Sequence, residues 1–316
     1  MKAFGPIPSR RLGQSLGINN IPPKICSYSC VYCQLGKAIV MDTERKHYFD
    51  PEELVAEVKE KIRKVQARGG KIDYLTFVPD GEPTLDINLG REIRMLRETG
   101  IKIAVITNSS LLWQKEVREE LAAADWVSVK VDSVLHDAWK KTDRPHKNLD
   151  LAQIRQGVLQ FAEEYQGTLM TETMLVKGYN DDRKSIMMTA ECLERINPHT
   201  AFIGIPTRPP AVATAMPAGE EAINYAYQEF IQHVQNVELI LGYEGNAFAF
   251  TGNVEEDVLS ITAVHPMRSE AVEELLHKAG TGWEVIEKLI REEKIMETEF
   301  NGHKFYMRKL KKNLEV

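Results

Sequence analysis

Two periods of apolar spacing alternate along this chain. Short apolar-rich runs at 74–78, 101–106, 126–131, 168–176 and 201–205 read as buried strands, with 15–19 as a first strand before them. Between these runs apolar residues recur every three or four positions. In 52–66, Leu54, Val55, Val58, Ile62 and Val65 share one helical face, and the pattern stops at Gly69-Gly70, as helices do. The same spacing predicts helices over 88–98, 114–123, 151–165 and 183–196, then 220–234 ahead of an edge strand at 237–242. Six strands separated by helices imply a parallel sheet of βα units and an α/β fold, a partial (β/α)6 TIM-like barrel. An eight-fold barrel would need two more units, and the pattern runs out.

From about residue 255 the pattern changes. Helical runs at 258–261, 271–279 and 283–292 precede two short strands, 295–300 and 303–307, around Asn301-Gly302, a strong hairpin turn. This reads as a small C-terminal winged-helix-like domain. The expected division is a core over 1–250 and a module over 251–316.

Composition narrows the class. The chain has 316 residues, 43% hydrophobic and 27% charged, with 14 prolines, enough apolar material for a sizeable core and no segment that reads as disordered. No stretch approaches the ~20 apolar residues of a membrane span, and the start, Met1 to Pro6, lacks the apolar run of a signal peptide. Few cysteines, most of them in one loop, fit a reducing interior. A soluble cytoplasmic protein is expected. The net charge of −6 gives no global attraction to nucleic acid. One local exception is Lys304, Arg308, Lys309, Lys311 and Lys312, with Phe305 and Tyr306 among them. That run suits a nucleic-acid-contacting wing, and equally a solvated tail on a docking module.

Candidate chemistry concentrates in Cys26-Ser27-Tyr28-Ser29-Cys30-Val31-Tyr32-Cys33, where three thiols are spaced C-x₃-C-x₂-C. Disulfides do not fit, because the number is odd and neighbours this close strain the bond. Thiolates on one short loop can instead point at one metal centre. A structural zinc site needs four Cys or His ligands, and the only other cysteine, Cys192, lies far along the chain in a helical pattern. A cubane iron–sulfur cluster normally takes four thiolates. With three, one iron stays open to a small chelating molecule.

Strand ends supply further candidates, since functional residues of α/β barrels lie at the C-terminal ends of strands. Gly81, Glu82, Pro83 and Thr84 follow the second strand, in a loop able to accept hydrogen bonds from an ammonium group. Asn108, in Thr107-Asn108-Ser109, ends the third. Lys130 and Asp132 end the fourth, the lysine to pair with a carboxylate and the aspartate to take two ribose hydroxyls; a plain Lys–Asp pair is the alternative. Glu172 sits among apolar neighbours in the fifth strand and should face the barrel interior, because an unpaired buried carboxylate is costly. Pro206, with Thr207, Arg208, Pro209 and Pro210, offers an apolar wall for an adenine and an arginine for a substrate anion. Arg10 and Arg11 are candidates for substrate or phosphate contact. No GxGxxG or GxxxxGK[ST] stretch supports a dinucleotide enzyme or a P-loop NTPase.

Taken together, the cysteine loop through Gly36, the Gly-Glu-Pro loop, the segment from Phe4 to Gly13, Thr171 to Val176 and Pro206 to Pro210 resemble radical S-adenosylmethionine (radical SAM) enzymes. Within that superfamily they look like the group related to the tRNA wyosine (imidazoguanosine) synthetases, over about residues 1–250. The resemblance implies that Cys26, Cys30 and Cys33 hold a [4Fe–4S] cluster. It also implies that SAM contacts Tyr32, Gly81, Glu82, Pro83, Thr84, Asn108, Lys130, Asp132, Glu172 and Pro206. The expected reaction is reductive cleavage of SAM to a 5′-deoxyadenosyl radical that takes hydrogen from an RNA base or a protein side chain. An external flavodoxin or ferredoxin would supply the electron. Wyosine synthetases carry further cysteines that this chain lacks, which leaves the substrate open. Two other readings are a zinc-bound winged-helix nucleic-acid-binding regulator and an activase that installs a radical on a partner enzyme.

Overall fold

A computed structural model describes residues 2–242, 248 and 250–309. Eight strands form its main sheet: β1 (Ala3–Ser9), β2 (Gly13–Ile18), β3 (Tyr74–Phe77), β4 (Lys102–Thr107), β5 (Trp126–Lys130), β6 (Thr168–Met174), β7 (Thr200–Gly204) and β8 (Val237–Ile240). Their order in the sheet follows their order in the chain. β1 runs antiparallel to β2, and every later pairing is parallel. Helices α1 (Pro51–Gln66), α2 (Leu89–Leu96), α3 (Lys115–Leu121), α4 (His136–Asp143), α5 (Leu151–Glu164), α6 (Arg183–Ile196) and α7 (Glu220–His233) make the crossovers. The result is a curled, open partial TIM-like barrel, as the alternation predicts.

The helices form for local reasons. α1 opens on Asp50, whose side chain accepts from the Glu53 amide, with Pro51 at the first position; Leu54, Val55, Val58, Ile62 and Val65 are buried. α6 is capped by Asp182, and α5 by Asp150. The sheet and these helices share one core, from Leu16 and Ile18 through Leu75, Phe77, Val105, Val127 and Val129 to Ile203 and Phe230.

Two elements depart from the sequence reading. β1 was hidden by Pro6 and Pro8; it lies at the sheet edge, where strand prolines are tolerated. α4 is a short helix that ends in a left-handed Arg144 before Pro145, too brief to show a period.

After β8 come α8 (Val254–Thr262), β9 (Met267–Arg268), α9 (Ser269–Ala279), α10 (Glu284–Arg291) and the hairpin β10 (Ile295–Phe300) and β11 (His303–Arg308). The order is α-β-α-α-β-β, with the three strands in one small sheet, β9-β11-β10. This module has its own core, including Val258, Ile261, Val272, Leu275, Leu289 and Tyr306. That core also takes in Phe4 and Ile7 of β1, with Leu35 and Val78 packed against it. The basic run of the hairpin is largely committed within the module. Lys304 pairs with Glu297 at 3.0 Å, Lys309 with Glu293 at 2.6 Å, and Arg308 donates to the Leu259 carbonyl. Lys311 and Lys312 lie outside the described residues.

Candidate active site

At the C-terminal mouth of the sheet lies a cavity of about 300 Å³. Cys26, Cys30 and Cys33 all line it, with Tyr32, Gly81, Glu82, Asn108, Lys130, Glu172 and Pro206. The loops after β2, β3, β4 and β7 and the C-terminal ends of β5 and β6 therefore converge on one space.

The cysteine loop is fixed by neighbours on two sides and by a bond within itself. Ile25 bridges Gly81 in parallel fashion, and the Glu82 amide donates to the Ile25 carbonyl at 3.2 Å. A Cβ on Gly81 would lie 2.0 Å from that carbonyl, so glycine is required for the two loops to touch. The end of α4 holds the opposite side: the Val31 amide donates to the Thr142 carbonyl at 2.9 Å, and Trp139 Nε1 donates to the Tyr28 hydroxyl at 3.1 Å. At the rim, the Ala38 amide donates to Ser29 Oγ at 3.3 Å. Burial pushes all three thiols above their ordinary range, and each of Cys26 and Cys30 also feels a neighbouring loop thiol.

Glu82 is 1% exposed, and its carboxylate accepts four hydrogen bonds. Oε1 takes the Thr84 amide at 3.1 Å and the hydroxyls of Thr84 and Thr107 at 2.6 Å each; Oε2 takes the Asn108 amide at 2.7 Å. Burial still pushes its pKa up, against those four bonds. Beside it Asp80 is raised to about 6 by burial, with Lys24 at 3.2 Å opposing the shift; Asp80 Oδ2 is buried without a partner. Lys24 itself takes a left-handed φ of 67°, uncommon for a residue other than glycine.

Sheet register builds the other wall. Lys130 and Glu172 are direct partners across β5 and β6, which sets Nζ 3.2 Å from Oε1. Arg11 completes the network with an ion pair to Glu172. Burial would raise the Glu172 carboxyl, but Arg11 and then Lys130 outweigh it and hold it at about 2. Burial likewise would lower Lys130; Asp132 and Glu172 reverse that and raise it. Glu172 thus faces the interior and is paired, as expected. The Lys130 ammonium also stands 4.9 Å from the Tyr32 ring centroid.

Three expectations need correction. Asp132 is 5% exposed and does not line the large cavity. Its carboxylate accepts from the Tyr32 hydroxyl and, at 2.7 Å, from the Met174 amide, so it supports the site from beneath and is not placed for ribose hydroxyls. Pro83 and Thr84 are buried behind Glu82 and do not reach the cavity either; a short 3-10 turn over Pro83–Leu85 turns them inward. Arg208 does line the cavity, but its guanidinium is engaged by Gln34 and His265. Cys192 lies in α6 and lines a separate, smaller cavity with Asp143 and Trp139. Lys24, Gln34 and the end of α4 were not anticipated. Only their nearness to the cysteine loop, in sequence for the first two, could have flagged them.

A family model described as the radical SAM superfamily matches residues 20–190. A UPF0026 protein of Methanocaldococcus jannaschii is 47% identical over 98% of this chain and 96% of its own length. Among solved structures, TYW1 with a lysine-pyruvate adduct bound aligns with a TM-score of 0.53 at 17% identity, over 70% of this chain and 74% of its own. A radical SAM methyltransferase from Sphaerobacter thermophilus aligns at 0.54 and 16% identity, over 72% and 66%. At those identities the two structures speak for the fold.

Proposed function

The chain belongs to the radical SAM superfamily, and from that premise we propose that Cys26, Cys30 and Cys33 hold a [4Fe–4S] cluster at which SAM is cleaved to attack a substrate. The observation that carries this reading is the convergence of all three thiols and the Gly81-Glu82 loop on one cavity. The donor set fits the group. Burial pushes the pKa values of these three half-buried thiols up, so they would become thiolates more readily with strong positive charge beside them, which a ligating metal centre would provide. Cys192, the one remaining cysteine, lies in the other cavity and adds no fourth thiolate. Held by these three thiols, the cluster would supply one electron for reductive cleavage of SAM at its C5′–S bond.

The protein's share is to bind, orient and exclude water. Asp80, with its unpartnered oxygen and the Lys24 ion pair beside it, supports recognition of the SAM ammonium next to the fully engaged Glu82. Asn108 and the Arg11–Glu172–Lys130 network form the polar wall, and Pro206 and Ile205 the apolar one. The substrate, an RNA base or a protein side chain, presents its reacting group into the cavity mouth. Lys37, Arg144 and Lys147 favour an anionic or acidic partner there: they are exposed beside the cysteine loop and make no ion pair among the described residues. A flavodoxin or ferredoxin supplies the electron. The C-terminal module is read as winged-helix-like from its element order. With Lys304 and Lys309 neutralised by glutamates, contact with RNA falls at the cavity rim sooner than at the hairpin.

The test is anaerobic reconstitution with iron and sulfide, reduction, and assay for 5′-deoxyadenosine from SAM. Release of that nucleoside by a brown protein supports the reading; a colourless protein that retains zinc would overturn it.

A further inference from the structure

Gln34, the residue after Cys33, is held at both ends of its amide. Oε1 accepts from Arg208 Nη1 at 2.7 Å, and Nε2 donates to the Val264 carbonyl at 3.0 Å. Only this amide orientation satisfies both partners, because a guanidinium only donates and a carbonyl only accepts. Val264 follows α8 in the C-terminal module, whereas Arg208 follows β7 of the barrel. Arg208 also reaches His265 of the module, at 3.2 Å between nitrogens. The apolar contacts have the same focus. Leu35, two residues beyond Cys33, and Val78, two before Asp80, both pack against the module's core. The cysteine loop and the Gly81-Glu82 loop therefore each place a side chain on the module.

We propose that the C-terminal module is a brace for the thiol loop, and that Gln34 is the positioning residue through which it fixes the backbone of Cys33. This goes beyond the proposed reaction and assigns the module a task at the site. The loop between Cys33 and Val40 is free of helix, and its two-residue ladder pairs Ile25–Cys26 with Val40–Met41 only at its far end. The Gln34 amide and the Leu35 side chain are what tie its nearer end to the module. Local release of that end would let Cys33 move away from its two partners without undoing the core that the module shares with β1.

The experiment uses the full chain as apoprotein, with trace alkylation by iodoacetamide and peptide mapping to read each thiol separately. Cys192 is the internal standard, because it is buried in α6 away from the brace. Gln34→Leu should raise Cys33 alkylation about threefold to tenfold relative to Cys192. That is the factor one or two lost hydrogen bonds give a loop-opening equilibrium. Gln34→Glu keeps an acceptor for Arg208 but loses the donor to Val264, and should fall between. If Gln34→Leu does not fold, Gln34→Glu and His265→Ala carry the same comparison. In reconstituted protein the variants should broaden the electron paramagnetic resonance signal of the reduced cluster. Cys33 reactivity equal to wild type, or a parallel rise at Cys192, would overturn the proposal. The alkylation needs no cluster, so failure of the proposed reaction would leave this result readable.

Discussion

At the scale of single residues, three thiols should be indispensable and the fourth expendable. Alanine at Cys26, Cys30 or Cys33 should abolish the visible absorption of reconstituted protein, while Cys192→Ala keeps it; bleaching by Cys192→Ala would show a fourth ligand. Glu82 calls for a different expectation from a simple ligand contact. Its carboxylate satisfies four buried donors, so Glu82→Ala strands them. A buried donor left unpaired costs about 1–3 kcal/mol. Urea denaturation should therefore show a lowered midpoint for Glu82→Ala at unchanged slope, in addition to weaker SAM binding. A third prediction concerns pH. Glu92 is fully buried on α2, and burial, then Asp86, push its carboxyl up to about 9. An unfolded chain releases that proton at about 4.3. The folded state thus holds a proton that the unfolded state loses, and the stability this contributes is complete below the lower value and declines as pH rises towards the upper. Between about pH 6 and pH 9 the melting temperature of Glu92→Gln should fall less than that of wild type; equal slopes would show Glu92 ionised. That the three loop thiols, Glu82 and Glu172 gather at one cavity was legible in the sequence because the signals are local: spacing on one loop, or a charge inside an apolar strand. Asp132 was misread because its role depends on which way a side chain turns beneath Tyr32, and Lys24 was missed because only the fold brings it to Asp80.

At the scale of elements, the parallel strands and most crossover helices were legible from periodicity, and the two exceptions share a cause. β1 and α4 derive their stability from tertiary contact, which local pattern does not record. β1 carries two prolines and survives as an edge strand because Phe4 and Ile7 enter the module's core. Gly17 makes room for this, since a Cβ there would lie 2.0 Å from the Phe4 ring. α4 is anchored by Trp139 on Tyr28. The shared core carries a consequence for truncation. A chain ending at about residue 250 would expose Phe4, Ile7, Leu35 and Val78 together. It should aggregate or bind a hydrophobic dye, whereas a self-contained barrel would stay monodisperse in size-exclusion chromatography.

At the scale of the whole molecule, the barrel collects chemistry from distant stretches of chain at one mouth, and the module closes over the edge of that mouth beside the thiol loop. Against the net charge of −6, Lys37, Arg144 and Lys147 beside the thiol loop, without ion pairs among the described residues, are a local exception, so substrate affinity should weaken with added salt. The central claim is that three thiolates leave one iron open and that SAM occupies it. The most direct measurement is the electron paramagnetic resonance spectrum of the anaerobically reconstituted, reduced protein before and after SAM is added. Binding at the open iron predicts a reduced-cluster signal whose g-values shift on addition of SAM. A signal indifferent to SAM, or no cluster signal from a folded and reconstituted chain, would contradict the account.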